Sequence, residues 1–221
     1  MSHSINEVKD LQIPRQDIIL ACNKFSDQNY IRRDGCTRVY EGISEKHGPI
    51  LIMRLDPGQG LGDYKFKTEI ALLLKFICKN IVSLVGFCNE DGEKILVYKH
   101  ERNGSLDQHV TNSFLSWSQR IQICRDAAYA MLYLHDDARR RRRILYHDIK
   151  SSHILLDEVW RPKITNIRLS GIYPSIKDFF GLPGYTPEDC WFQGLANTHK
   201  THVIHKLCSL NLIESKVTRV E

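Results

Sequence analysis

The sequence predicts an α+β fold, with a strand-rich first half and a mostly helical second half. Apolar residues in the first half occur in short runs bounded by glycine and proline, which is typical of strands. In residues 117–136 the apolar positions instead recur every three or four residues, which is typical of one face of a helix. Hydrophobic residues make up 42% of the 221 residues and charged residues 26%, an ordinary composition for a folded domain.

Five strands and one helix are predicted for the first half, in the order three strands, helix, two strands. Residues 66–76 are assigned to the helix because Phe66, Ile70 and Leu73 fall on one helical face. Turns rich in Gly, Pro, Asn and Asp separate the remaining apolar runs. The strands are assigned to residues 31–42 (two strands and a turn), 49–55, 81–88 and 94–100.

One long helix dominates the second half. It covers residues 117–136, and Ser116 and Ser118 are candidate N-terminal caps. Its apolar stripe consists of Ile121, Ile123, Cys124, Ala127, Ala128, Met131 and Leu134. The other assignments are short strands at 144–146 and 154–156, a loop at 171–184 and a last helix at 202–213.

The basic balance of the chain comes from one local run. Lys and Arg number 31 against 26 Asp and Glu, and five of these cations are the consecutive arginines 139–143. The balance is even without them, so no specific nucleic-acid partner is expected. Two interpretations of the run stay open: a solvated loop or helix end, or a contact for a polyanionic partner.

The seven cysteines include no C-x-x-C pair. This favours free thiols in a reducing compartment over a disulfide framework or a zinc site. No run of about 18 apolar residues occurs, and the first 11 residues are polar without a signal-peptide core. We therefore expect no membrane span in this chain and a cytoplasmic location, either free or at the inner face of the plasma membrane.

Three longer motifs identify a family. Residues 80–88 read NIVSLVGFC, residues 103–106 read NGSL, and residues 148–157 read DIKSSHILLD. With the order of elements and residues 17–25, they resemble plant receptor-like protein kinases of the Pelle and interleukin-1-receptor-associated kinase type, in a degenerate and C-terminally truncated form. The resemblance implies a two-lobed kinase fold with an antiparallel N-lobe sheet plus one helix and an incomplete, mostly helical C-lobe. The implied domains are an N-terminal extension (1–24), the N-lobe (25–101) and a partial C-lobe (102–221).

The resemblance places a glycine-rich turn at the first strand pair. Its three glycines would allow backbone N–H groups to approach the phosphates of a nucleotide. Here those positions are Arg32, Asp34 and Thr37, while Gly35 lies between them. Side chains therefore replace the open backbone, and Asp34 adds a negative charge near the expected phosphates.

The resemblance also assigns a degenerate ATP pocket. Met53 stands where a lysine would pair with the α- and β-phosphates. Leu51 replaces an alanine that leaves room for adenine. Glu69, the usual partner of that lysine, is expected to be solvated or hydrogen-bonded locally. The full set of pocket positions is Val39, Leu51, Met53, Glu69, Tyr98 and Leu155.

Two catalytic-loop residues match an active kinase. Asp148 stands at the position of the base that accepts the hydroxyl proton, and Lys150 at the position that steadies the transferred phosphoryl group. The two usual magnesium positions carry His153, whose neutral imidazole is a poor ligand for this hard cation, and Asn166, where a neutral amide replaces an anionic ligand, so no metal is expected. ATP and Mg²⁺ are expected only if residual kinase activity exists. Arg168 is interpreted either as a substitute for the metal charge or as a surface arginine.

These substitutions predict a pseudokinase that acts as a scaffold or decoy in receptor-kinase signalling. Its partners would be other kinases or receptor proteins. Two alternatives stay open: a weakly active ATP-dependent serine/threonine protein kinase that uses Asp148, and the product of a decayed kinase gene without function. His205 and Lys206, in the predicted last helix, fit the second alternative because decay would also change core positions.

Overall fold

The computed structural model describes residues 9–56, 62–110, 115–135, 143–145, 150–167 and 171–173. The chain divides into two compact units. The first consists of Met1–Ile77 and Val82–His100, and the second of Cys78–Ile81 and Glu101–Glu221. The predicted order of strands and helix in the first unit is confirmed. The domain boundaries assigned from the sequence stay predictions.

The first unit is built on a five-stranded sheet in the order β1-β2-β3-β5-β4. Every neighbouring pair is antiparallel. The strands are β1 (Tyr30–Asp34), β2 (Thr37–Ser44), β3 (Gly48–Leu55), β4 (Leu84–Cys88) and β5 (Lys94–Lys99). Helix α1 (Arg15–Ala21) precedes the sheet, and helix α2 (Gly62–Lys75) lies between β3 and β4 in the chain.

Turn chemistry sets the register of two hairpins. Asp91 and Gly92 join β4 to β5 with φ of 52° and 76°, and two successive positive φ angles are typical of the type I′ turn that Asp-Gly favours. Between β1 and β2, Asp34 pairs with Thr37, so Gly35 and Cys36 form a two-residue turn. Gly35 takes a φ of 57° there, which a residue without a Cβ adopts at no steric cost.

Apolar side chains cover both faces of the sheet. One face packs against Ile18 and Cys22 of the α1 region, with Tyr40, Ile50, Ile52, Cys88, Ile95 and Val97. Strand alternation places a second set on the opposite face, namely Val39, Leu51, Met53, Leu96 and Tyr98. The central strand β3 is therefore buried on both sides.

The segment before β1 is part of this unit, and the sequence analysis did not assign its helix. We call residues 11–22 the N-terminal strap. The N–H of Ile13 donates to the carbonyl of Phe87 at 2.8 Å, and the N–H of Phe87 donates to the carbonyl of Leu11 at 2.9 Å. The strap thus pairs with the outer edge of β4. At the start of α1, the N–H of Arg15 donates to Glu90 Oε2 at 2.9 Å.

Two glycines make room for the strap. A Cβ at Gly86 would lie 2.5 Å from the carbonyl oxygen of Leu11, and a Cβ at Gly42 would lie 2.7 Å from that of Ala21. Real Cβ atoms essentially never come this close to backbone atoms. Any larger residue at either position would therefore push the strap off the sheet.

The second unit contains helix α3 (Trp117–His135) and two small antiparallel strand pairs. The predicted cap at Ser116 is confirmed: its hydroxyl accepts from the N–H of Gln119 at 3.2 Å, and Gln119 Oε1 accepts from the N–H of Ser116 at 2.9 Å. This is a reciprocal capping box. Most of the predicted stripe is buried, but Ile121 is 42% exposed and lies outside it. The pairs are β6 (Arg143–Leu145) with β9 (Gly171–Tyr173), and β7 (Ile154–Leu156) with β8 (Pro162–Ile164).

The assignment of residues 171–184 to a loop was wrong at its start. Gly171–Tyr173 form β9, which pairs antiparallel with β6. A three-residue strand has almost no sequence pattern of its own, and the partner across the pair determines its conformation. The remainder of that predicted loop lies outside the described residues.

Several other predictions fall outside the described residues. They concern Asp148, Arg168, the arginines 139–142 and the last helix at 202–213. Within the described ranges, no helix combines the length and the hydropathy needed to cross a bilayer.

Candidate functional site

The candidate positions are divided between the two units. In the first unit, the turn at the glycine-rich position is a tight hairpin held by ion pairs. Asp56, just after β3, contacts Arg33 Nη2 at 2.5 Å and Arg38 Nε at 3.0 Å. Its N–H donates to the carbonyl of Cys36 at 2.8 Å. Asp56 therefore links the hairpin tip to the end of β3, a role that the sequence analysis missed.

Apolar side chains fill the predicted nucleotide face of the sheet. Val39 pairs with Met53 across β2 and β3, and Leu51 pairs with Tyr98 across β3 and β5. Val39, Leu51 and Met53 are each at most 5% exposed. Met53 thus occupies the lysine position as a buried core residue, which the flexible, uncharged side chain of methionine allows.

Glu69 of α2 is hydrogen-bonded to a tyrosine. The hydroxyl of Tyr98 donates to Glu69 Oε1 at 2.8 Å, and both residues are fully buried. Of the two environments expected for Glu69, local hydrogen bonding is therefore the one present. A buried carboxyl group needs such a donor because its desolvation is otherwise costly.

In the second unit, the residues at the two usual magnesium positions contact each other. His153 Nε2 lies 3.0 Å from Asn166 Nδ2, and the two residues are 1% and 2% exposed. The contact thus pairs an imidazole with a side-chain amide where an active kinase would present oxygen ligands to magnesium.

Backbone contacts hold this pair in place. The carbonyl oxygen of His153 accepts from the N–H of Thr165 at 2.9 Å and from Thr165 Oγ1 at 3.2 Å. Asn166 then takes a φ of 63°, a left-handed conformation that asparagine tolerates better than most residues. The antiparallel pairing of β7 with β8 brings these positions together.

The other predicted residues of this unit lie on the same elements. Lys150 is exposed and extended, directly before the 3₁₀ turn Ser151–His153. Leu155 is buried in β7 and pairs with Lys163. Lys163 Nζ lies 4.0 Å from Glu101 Oε1, a 5% exposed carboxylate that the sequence analysis did not single out.

The described residues fit magnesium nucleotide poorly. Magnesium prefers oxygen ligands, whereas the His153 ring offers nitrogen, and at Asn166 a neutral amide stands in place of an anionic carboxylate. The lysine position holds buried Met53. Among the described residues, no group of three or more His, Cys, Asp or Glu side chains is arranged to hold a metal ion.

An ion pair outside these positions carries the clearest electrostatic effect. Arg54 Nε donates to Glu93 Oε2 at 2.8 Å, and its Nη2 donates to Glu93 Oε1. This hydrogen bonding lowers the pKa of Glu93 and raises the pKa of Arg54. The guanidinium also lies 4.6 Å above the ring of Phe25. The network ties β3 and β5 to the residues just after α1.

A family model described as protein tyrosine and serine/threonine kinase matches residues 29–177. The chain belongs to this protein kinase family. The matched range runs from the start of the five-stranded sheet to just beyond β9, so it includes the candidate positions of both units.

Plant receptor-like kinases are relatives of this kinase domain. Cysteine-rich receptor-like protein kinase 28 of Arabidopsis thaliana is 40% identical over 157 residues, which are 69% of this chain and 23% of that protein. Cysteine-rich receptor-like protein kinase 36 is 38% identical over 160 residues, or 71% of this chain and 24% of that protein. Receptor-like protein kinase THESEUS 1 is 38% identical over 164 residues, or 73% and 19%. The chain thus spans about a quarter or less of the length of these relatives.

Proposed function

We propose that the chain is a pseudokinase, a protein kinase fold that binds partners without transferring phosphate. The main support is the buried hydrogen bond between His153 and Asn166, because it engages an imidazole and an amide with each other at the two magnesium positions. Met53 also supports the proposal, because phosphoryl transfer depends on charge stabilisation and positioning, and methionine brings no charge to the lysine position. The ion-paired hairpin tip adds further support because it replaces the glycine backbone that would approach the phosphates.

We infer that this pseudokinase acts as a scaffold or decoy in receptor-kinase signalling. Other kinases or receptor proteins are its proposed partners, and the cytoplasm or the inner face of the plasma membrane is its proposed location. The support is the relationship to proteins named receptor-like kinases. The buried core of the first unit favours a folded, partner-binding protein over the product of a decayed gene.

A weakly active serine/threonine kinase is the second candidate. Glu69, Lys150 and, outside the described residues, Asp148 match the residue types of an active enzyme. In this candidate, Asp148 accepts the proton of the substrate hydroxyl. The two candidate functions therefore differ in the role of Asp148, which is catalytic in the enzyme and has no chemical role in the scaffold.

Nucleotide-dependent thermal stability tests the proposal. A ligand at 100 times its dissociation constant adds about 2.7 kcal/mol of stability, which raises the Tm of a chain of this size by several degrees. We expect millimolar Mg·ATP to leave the Tm of the full chain unchanged. A receptor-like kinase domain with the lysine and both oxygen ligands serves as the positive control. A clear magnesium-dependent increase would contradict the first step of the proposal.

Replacing Asp148 separates the two candidates. We expect the variant Asp148→Asn to bind partners as the parent does, because a scaffold gives this carboxylate no chemical role. Transfer of radiolabelled phosphate to a generic protein substrate is the measurement. Transfer that is present in the parent and lost in Asp148→Asn would establish the enzyme instead.

A further inference from the structure

Three consecutive residues directly after the strap have left-handed backbone. Asn23, Lys24 and Phe25 take φ of 48°, 59° and 57°. For L-residues this region is unfavourable, and residues other than glycine normally enter it singly. Asparagine tolerates it, but lysine and phenylalanine gain nothing from their side chains there. We call residues 23–25 the hinge, since they connect the strap to the sheet.

The contacts that bind the strap to the sheet are made by the strap's own residues. Its residues 11–13 pair with the edge of β4, and α1 buries Ile18 to 1% exposure. Gly86 and Gly42 receive its backbone at distances that no Cβ allows. All of these contacts are made between the strap and the sheet. A strap from a second copy of the chain would therefore make the same contacts.

We propose that two copies of this chain exchange their N-terminal straps, each strap binding to the β4 edge of the other copy. Exchange keeps the contacts between the strap and the sheet. It also lets the hinge extend, which removes the left-handed conformation of the hinge. A short connection under strain favours this kind of exchange between identical chains. The inference does not depend on whether the chain transfers phosphate.

Three contacts hold the hinge closed in the single chain. The ring of Phe25 packs edge-on against Tyr40 with 5.2 Å between centroids, and the guanidinium of Arg54 lies over the Phe25 ring at 4.6 Å from its centroid. The N–H of Lys24 donates to the carbonyl of Ile19 at 2.7 Å. Exchange must break these contacts at least transiently. We therefore expect a dimer chiefly after refolding at high protein concentration, with slow return to monomer on dilution.

Sedimentation of the full chain after refolding at high concentration tests the proposal. The parent is expected to form a dimer, and Lys24→Gly to raise its dissociation constant by at least about tenfold, because glycine adopts the left-handed hinge without the Cβ penalty and so stabilises each of the two closed monomers. Lys46→Gly, in the exposed β2–β3 turn where φ is not positive, is the matched control and should leave the dimer unchanged. Absence of a dimer, or a dimer that Lys24→Gly does not weaken, would overturn the proposal.

A complementation experiment locates the contact. Gly86→Ala is expected to prevent a copy from receiving a strap, and Ile18→Ala to weaken its own strap as a donor. Each variant alone should then be monomeric, whereas a mixture of the two, with different affinity tags, should yield a mixed dimer. If the parent dimerises but the folded variants do not combine, another surface makes the dimer and the proposal is wrong. Should either variant fail to fold, the Lys24→Gly comparison decides.

Discussion

Glu93 is the residue whose ionisation most directly ties the stability of the first unit to pH. Its hydrogen bonds to Arg54 hold its folded pKa below the usual value of 4.5. A carboxyl group with a depressed folded pKa stabilises the fold above its unfolded pKa, and this contribution is lost as pH falls through the folded pKa. The stabilisation from this pair is therefore fully present at neutral pH, begins to be lost below about pH 4.5, and is gone below the lower, folded pKa.

We expect Glu93→Gln to lose about 1.5–3 kcal/mol of unfolding free energy at pH 7, the usual contribution of a hydrogen bond to a charged group. The variant should also lose less stability than the parent when the pH is lowered from about 5 to about 3. Urea denaturation at several pH values measures both effects. Glu45→Gln, in the exposed β2–β3 turn, is the control. Equal acid sensitivity in parent and Glu93→Gln would show that other carboxylates control the acid transition.

At the scale of elements, the start of α3 offers a matched pair of serines. Ser116 exchanges two hydrogen bonds with Gln119, while Ser118 lies within the first turn of the helix. Replacing an N-cap serine by alanine costs about 1 kcal/mol. We expect this loss for Ser116→Ala and little change for Ser118→Ala, measured as the difference in urea midpoint. Equal effects of the two replacements would contradict the cap.

Elements with a strong local pattern were predictable, whereas elements defined by distant contacts were not. The strands of the sheet could be predicted because alternating apolar runs and the Asp91-Gly92 turn are visible in the local sequence. Helix α1 has seven residues and fully buries only Ile18 among them, so its helical pattern is too short to detect. Strand β9 depends on β6 for its conformation. Short elements of this kind exist because of their tertiary partners, which no local pattern contains.

The candidate site follows the same division. The substitutions at Met53 and at the two metal positions were visible once the motifs were aligned in order. The hydrogen bond between His153 and Asn166 was not, because the β7–β8 pairing brings together residues 13 positions apart. Likewise, nothing in the local sequence indicates that Asp56 contacts Arg33 and Arg38. The chemical identity of a site residue can be predicted from a motif, but its hydrogen-bond or ion-pair partner can be identified only from the folded structure.

At the scale of the whole molecule, five arginines account for the net charge. The formal charge is +5, and replacing residues 139–143 with serine removes five cations and leaves zero. Adjacent like charges repel, so we expect the side chains of this segment to be solvated, although Arg143 begins β6 and its backbone pairs with Tyr173. The replacement should therefore leave the Tm nearly unchanged.

Binding to polyanions is the property that this replacement should change. If the parent binds heparin or vesicles that contain an acidic lipid, that binding should weaken steeply with salt and disappear in the five-serine variant. Heparin affinity at two salt concentrations and a thermal melt are the measurements. A Tm lowered by many degrees would mean that the arginines pack against the fold.

The position of the strap on β4 has a consequence for how fragments of this protein behave. A strand at the border of a sheet presents unpaired N–H and C=O groups, which promote edge-to-edge aggregation. Residues 11–13 cover those groups on β4, and α1 covers the apolar face beside them. A recombinant fragment that starts at Phe25 would leave both surfaces bare. We expect such a fragment to enter inclusion bodies, and one that starts before Leu11 to stay soluble.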